Sequence, residues 1–155
     1  MKLTLTALAF AGLAAPTFAQ DIEAGAKTFN QCQTCHVVQN EAGETLAGKN
    51  AKTGPNLYGV VGRVAGSLEG FKYGAGIEEL TAKGFVWTEA DIAVYVQDPT
   101  KFLVEKTGDK KAKSKMMFKL KKEEDAKNVA AFLASLAPAA APADAAAPAE
   151  GAVTE

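Results

Sequence analysis

The chain has 155 residues, 48% hydrophobic and 23% charged, with 17 basic residues against 18 acidic ones for a formal net charge of −1. That length and near-neutral balance suit one compact domain and give no basis for a nucleic-acid partner. The chain holds two cysteines and one histidine, too few for a structural zinc site, which wants four Cys/His ligands.

Residues 1–19 carry Lys2, an apolar run over residues 3–15, and Thr17-Phe18-Ala19 with small residues at both positions that specify cleavage. They read as a secretory signal peptide removed before Gln20, which would place the mature chain in the periplasm. The apolar run is shorter than the roughly 20 residues a membrane-spanning helix needs, so no membrane span is expected. Asp21 can cap a first helix with Ile22, Ala26 and Phe29 on its inner face.

That helix runs into Cys32-Gln33-Thr34-Cys35-His36. Cysteines three positions apart, followed at once by histidine, read as a covalent c-type haem attachment site. On one helical turn residues i and i+3 share a face, so both thiols can reach the two vinyl groups of one porphyrin. The adjacent imidazole then comes under the iron as an axial ligand. The competing readings are a thioredoxin-like dithiol, although no strand pattern precedes Cys32, and a plain disulfide.

Seven glycines lie in residues 52–76, which implies tight turns or close backbone approach to something. The interval has neither the glycine spacing nor the strand–loop–helix context of a phosphate loop. Leu57, Val60, Val61, Phe71 and Tyr73 argue that it packs around a body, and a haem edge suits it. Thr88 with Asp91 resembles a capping box, opening a helix that turns Ile92, Tyr95 and Val96 inward and ends at Asp98-Pro99.

Residues 101–122 hold nine lysines against Glu105 and Asp109, either a solvated face or a docking surface. Glu123, Glu124 and Asp125 favour a helix N-terminus, and Ala126, Val129, Ala130 and Leu133 follow with amphipathic helical spacing. No run alternates as a strand, so the expected class is all-α. Residues 138–155 are half alanine, with three prolines, Asp144, Glu150 and Glu155 and no aromatic or basic residue. This predicts a disordered acidic tail and leaves residues 20–137 as the folded domain. Without Lys2 and the three tail acids, 16 basic and 15 acidic residues remain, a net charge near +1.

A His-ligated iron leaves its sixth position either open for a substrate or closed by a side chain. No second histidine is available, and Met116 and Met117 are the only methionines beyond the signal. A Met ligand would close the iron and raise its potential, which makes an electron carrier. A Met pair can also be core filler, but a helix-poor, lysine-rich setting is a poor place for core packing.

These motifs, in this order, resemble the class I cytochromes c, most of all the long bacterial cytochrome c2 and c550 type, over about residues 21–136. Lys52-Thr53-Gly54-Pro55-Asn56-Leu57 matches the segment whose proline carbonyl accepts the axial imidazole N–H. Gly62-Arg63 matches the arginine near a haem propionate, and Gly70-Phe71-Lys72-Tyr73 with Trp87 the residues that hydrogen-bond propionates. Tyr95 and Pro99 fall where the family keeps a tyrosine on the methionine side and a helix-ending proline. Lys115-Met116-Met117-Phe118 matches the sixth-ligand motif and selects Met116. Gly25 and Phe29 match first-helix positions that cross the last helix, where Phe132 is the aromatic partner. The departures are Ser114 where threonine is frequent, an insertion between Val104 and Lys113, and the tail.

The resemblance implies helices and glycine-rich loops wrapped around one haem c, attached covalently through Cys32 and Cys35. His36 and Met116 would be the axial iron ligands, with Pro55, Arg63, Tyr73, Trp87 and Tyr95 around them. It implies a monomeric, soluble periplasmic one-electron carrier of an electron-transport chain, not an enzyme. Its partners would be a cytochrome bc complex or periplasmic dehydrogenase on one side and a terminal oxidase, reaction centre or peroxidase on the other. Acidic faces of these would dock at a haem edge ringed by lysines of residues 101–122 with Lys27, Lys49, Lys52 and Lys72. The rivals are a haem protein with an open iron, which requires Met116 unbound, and a domain cut from a larger redox enzyme, against which the signal and tail stand.

Overall fold

In the computed structural model, which describes residues 20–137, five helices and one hairpin follow one another along the chain. They are α1 (Ile22–Phe29), β1 (Val37–Gln39), β2 (Thr45–Gly48), α2 (Ala75–Ala82), α3 (Glu89–Gln97), α4 (Pro99–Thr107) and α5 (Glu123–Ser135). The fold is the helical one the sequence implies. The signal-peptide reading of residues 1–19 and the tail reading of residues 138–155 lie outside the described residues.

Asp21 caps α1 as expected, its carboxylate accepting from the Ala24 N–H at 2.9 Å. The buried face is Gly25, Thr28 and Phe29, whereas Ile22, expected inward, is 49% exposed. The reason is where α5 crosses: a Cβ on Gly25 would stand 2.1 Å from the Asn128 carbonyl oxygen and 2.8 Å from Phe132 Cβ. Ile22 sits a turn before that crossing, at the helix end. One turn beyond it, the Phe29 and Phe132 rings meet with centroids 5.7 Å apart.

Thr88 and Asp91 cap α3 reciprocally, the Thr88 hydroxyl accepting from the Asp91 N–H at 3.1 Å and donating to its carboxylate at 2.6 Å. Asp98-Pro99 ends α3 but also starts α4. Asp98 accepts from the Lys101 N–H at 3.1 Å, and Pro99 takes the first helical turn, where its missing N–H costs nothing. α4 buries Phe102 and Leu103 and stops at Gly108, whose φ of +80° is the left-handed C-cap conformation. The lysine-rich stretch is therefore less helix-poor than its sequence suggests.

Two further elements escape the sequence pattern. α2 begins inside the glycine-rich interval, capped by Gly74 with no side-chain hydrogen bond. β1 and β2 pair antiparallel, Val38 opposite Ala47, with an irregularity after Val38. Strands this short show no alternation. Phe29, Leu80, Trp87, Ile92, Phe102, Val129 and Leu133 belong to one core cluster. Among the described residues no helix is long and apolar enough to cross a membrane.

Candidate functional site

A cavity of about 910 Å³ opens between the end of α1, the glycine-rich interval, α3, α5 and residues 113–118. Small-molecule sites run from about 300 to 1,000 Å³, so this one has the room a porphyrin needs. Every residue the sequence singles out as a cofactor contact lines it.

The first wall is the CxxCH turn. The Cys32 N–H bonds to the Phe29 carbonyl at 2.8 Å, and the N–H groups of Cys35 and His36 both bond to the Cys32 carbonyl at 3.0 Å. The chain thus continues one helical turn beyond α1 and brings both thiols to the same side. No disulfide joins them. Burial, and then the neighbouring Cys35, push the Cys32 thiol up to about 11. A reactive redox dithiol has the opposite shift, and among the described residues no strand leads into the turn as a thioredoxin-like motif requires.

His36 Nδ1 lies 2.9 Å from the Pro55 carbonyl, which can only accept, so Nδ1 carries the proton and Nε2 keeps its lone pair. Burial lowers the imidazole pKa, with the Pro55 bond opposing it, and the neutral ring is the form that binds a metal. Gly54 makes this placement possible, because a Cβ there would lie 2.3 Å from His36 Cε1. Behind it, Asn56 Oδ1 accepts from the Gln39 and Tyr58 N–H groups at 3.0 Å, while its Nδ2 donates to the Gln39 carbonyl at 2.7 Å.

Arg63 braces the same loop from the far side. Its guanidinium donates to the Tyr58 carbonyl at 2.9 Å and the Asn56 carbonyl at 2.8 Å. Burial raises the Tyr73 hydroxyl pKa, against the pull of the Arg63 charge and a hydrogen bond from the Leu68 N–H. Backbone bonds from Gly62 N–H to the Trp87 carbonyl (2.8 Å) and from Trp87 N–H to the Arg63 carbonyl (3.0 Å) fix Trp87 beside them. Trp87 stacks on Phe102 at 5.5 Å and meets Tyr95 edge-on at 5.1 Å.

In residues 113–118, Met116 is half-buried and packs on the core, whereas Met117 is 84% exposed. The Met116 N–H donates to Ser114 Oγ at 3.0 Å, and Tyr95 Oη lies 3.0 Å from the same oxygen. Burial raises the Tyr95 pKa and the Ser114 contact opposes it. Serine in place of threonine therefore keeps the hydroxyl that this arrangement uses.

Lys52, Lys72, Lys113 and Lys115 line the cavity, whereas Lys27 and Lys49 do not. Lys101, Lys106 and Lys119 are engaged with Glu105 (3.8 Å), Asp91 (2.8 Å) and Asp98 (2.8 Å). Of the lysines the sequence reading gathered at the haem edge, Lys52, Lys72, Lys113 and Lys115 are thus the ones at the cavity. Asn56 and Ser114 are site residues to which sequence reasoning gave no role, whereas Gly54 is one of the glycines it read as a close backbone approach. An Asn after Pro in a glycine-rich turn, with its side chain suited to cap neighbouring backbone, was the available signal.

No family model matches this chain. Cytochrome c2 of Cereibacter sphaeroides is 60% identical over 142 residues, covering 88% of this chain and 98% of that protein. Cytochrome c-550 of Paracoccus versutus is 53% identical over 157 residues, covering 98% and 99%. Among solved structures, cytochrome c2 from Rhodobacter sphaeroides matches with a TM-score of 0.74 at 63% identity, over 76% of this chain and 97% of that one. Ferric cytochrome c-550 from Paracoccus versutus matches with a TM-score of 0.72 at 52% identity, over 77% and 100%.

Proposed function

Because the chain belongs to the class I cytochrome c family, of the cytochrome c2 and c-550 type, we propose that it is a periplasmic one-electron carrier. It would take electrons from a cytochrome bc complex or a periplasmic dehydrogenase and pass them to a terminal oxidase, reaction centre or peroxidase. The export reading of residues 1–19 supports the compartment. The haem c of this family, one per chain and joined here through Cys32 and Cys35, supplies the Fe(III)/Fe(II) couple.

His36 would hold the haem iron through Nε2, while Pro55 keeps its other nitrogen protonated and its ring oriented. Met116 would hold it through its thioether, with Tyr95 and Ser114 fixing the backbone that carries it. A thioether ligand raises the potential and keeps exchangeable ligands off the metal, which suits a carrier. Arg63, Tyr73 and Trp87 supply donors where buried carboxylates would otherwise be costly. Lys52, Lys72, Lys113 and Lys115 give the cavity a positive rim, so encounters with acidic partners would be fast, weak and salt-sensitive.

The observation that carries this reading is that the CxxCH turn, the Pro55-anchored His36 and the half-buried Met116 line one cavity. In the ferric holoprotein, Met116→Ala should abolish the weak red absorption band of Met–Fe(III) ligation and lower the reduction potential. Met117→Ala should change neither. The same losses from Met117→Ala, with Met116→Ala silent, would overturn the assignment.

A further inference from the structure

Residues 112–117 alternate in burial. Ala112, Ser114 and Met116 turn inward, buried or half-buried, while Lys113, Lys115 and Met117 are exposed. This two-residue period sends Met117 outward in a series whose other members are lysines. At 84% it is far more open than the other exposed large apolar side chains, which run from 37% for Phe118 to 51% for Val94. It also lines the cavity, so it stands at the rim. A lone exposed apolar side chain is ordinary, but this one carries a thioether, whose sulfur lone pair solvent-borne oxidants can reach.

We propose that Met117 is an oxidation site, the sulfur at which hydroperoxides react with the folded holoprotein, and that its reaction leaves the iron ligands untouched. The sulfur lone pair attacks one peroxide oxygen, an S–O bond forms as the O–O bond breaks, and the other oxygen leaves as water. Sulfur loses two electrons and the peroxide takes them up. Methionine sulfoxide is polar, so the step turns an apolar point of the cavity rim into a polar one, and sulfoxide reductases reverse it.

The other sulfurs of residues 20–137 are less open to attack. Cys32 and Cys35 are partly buried and would carry the porphyrin. Met116 is half-buried, packs on the core, and would have its lone pair committed to iron. That exemption rests on Met116 being an axial ligand.

The test treats the ferric holoprotein with dilute hydrogen peroxide, beside free methionine as a control for dose. Tryptic cleavage after Lys115 and Lys119 releases residues 116–119, and fragmentation of that peptide in a mass spectrometer locates the added oxygen. The first oxygen should fall on Met117 while the red band and the reduction potential stay as in untreated protein. A methionine sulfoxide reductase should then remove it. Met117→Leu, which keeps the apolar bulk, should take up no oxygen over the same exposure.

Oxygen on Met116 before Met117, or on Met117 only as the red band disappears, would overturn the proposal. So would uptake as fast in Met117→Leu as in wild type, or none on Met117 at a dose that oxidises free methionine. A red band that survives in untreated Met116→Ala would instead overturn the ligand assignment, and with it the exemption of Met116.

Discussion

Replacing Gly54 by alanine puts one methyl group directly against the proposed iron ligand. Its Cβ would lie 2.3 Å from His36 Cε1, 2.5 Å from Nδ1 and 2.8 Å from Nε2. Non-bonded carbon atoms rest at about 3.5–4.0 Å, so ring and backbone must separate by about 1 Å or more. Neither is free to move. The Gly54 N–H bonds to the Cys35 carbonyl at 2.7 Å, and His36 Nδ1 to the Pro55 carbonyl at 2.9 Å. Overpacking of this kind costs about 1–3 kcal/mol, and a lost Nδ1–H···O bond adds about 1 kcal/mol. The stiffer unfolded chain returns about 0.4–1 kcal/mol, leaving a net loss of roughly 1–3.5 kcal/mol in denaturant unfolding of the holoprotein. An imidazole that donates less to Pro55 is also a poorer electron donor to the metal, so the reduction potential should rise. Wild-type stability together with a wild-type potential in Gly54→Ala would refute the claim that this glycine exists to seat His36.

Gly25→Ala should lower stability by about 2–4 kcal/mol, because its methyl meets the α5 backbone at 2.1 Å and backbone cannot yield as a side chain would. Denaturant melts check this, and an unchanged midpoint would refute the close helix crossing. Asp91 yields a pH-dependent prediction. Burial raises its pKa, but hydrogen bonds from Lys106 and Thr88 and the Lys106 charge outweigh that and hold it below the usual 3.8. A depressed carboxyl stabilises the fold above its unfolded value and loses that contribution as pH falls through the folded one. Lys106→Ala should therefore cost about 1 kcal/mol near neutrality, counting its place 5.3 Å from the Phe85 and Phe102 ring centres and discounting for its exposure. The gap to wild type should shrink below pH 3.8 as Asp91 protonates, and a gap independent of pH would show that the ion pair contributes nothing.

The parts legible in the sequence were those with local chemistry. CxxCH, the Thr88–Asp91 cap and the 126–133 spacing each declare themselves within a few residues. α4 was hidden because Asp98-Pro99 reads equally as the end of one helix and the start of the next, and here it is both. α2 was hidden because glycine caps it without a side-chain signal. The lysine ring could not be resolved at all from sequence, since Asp91 and Asp98, which take up Lys106 and Lys119, lie on or at the end of α3. Pairings across elements leave no trace in local spacing.

The long interval between β2 and α2 has almost no regular structure, yet it forms much of the cavity wall. Its order comes from side chains bonding to backbone: Asn56 to residues 39 and 58, Arg63 to residues 56 and 58, Thr81 to Ala65, and Lys115 to residues 72 and 73. In a loop held this way, a residue that lines the cavity can also hold up the loop that forms it, as Arg63 and Lys115 do. Arg63 is the clearest case. Both of its assigned donations go to backbone carbonyls, and the Asn56 carbonyl among them belongs to the residue after Pro55, the partner of His36. Arg63→Ala would thus loosen the seat of the imidazole as well as remove a cation from the cavity. Arg63→Lys keeps the charge but loses the two-pronged geometry, so a potential shift shared by both variants reports the loop, and one confined to Arg63→Ala reports the charge.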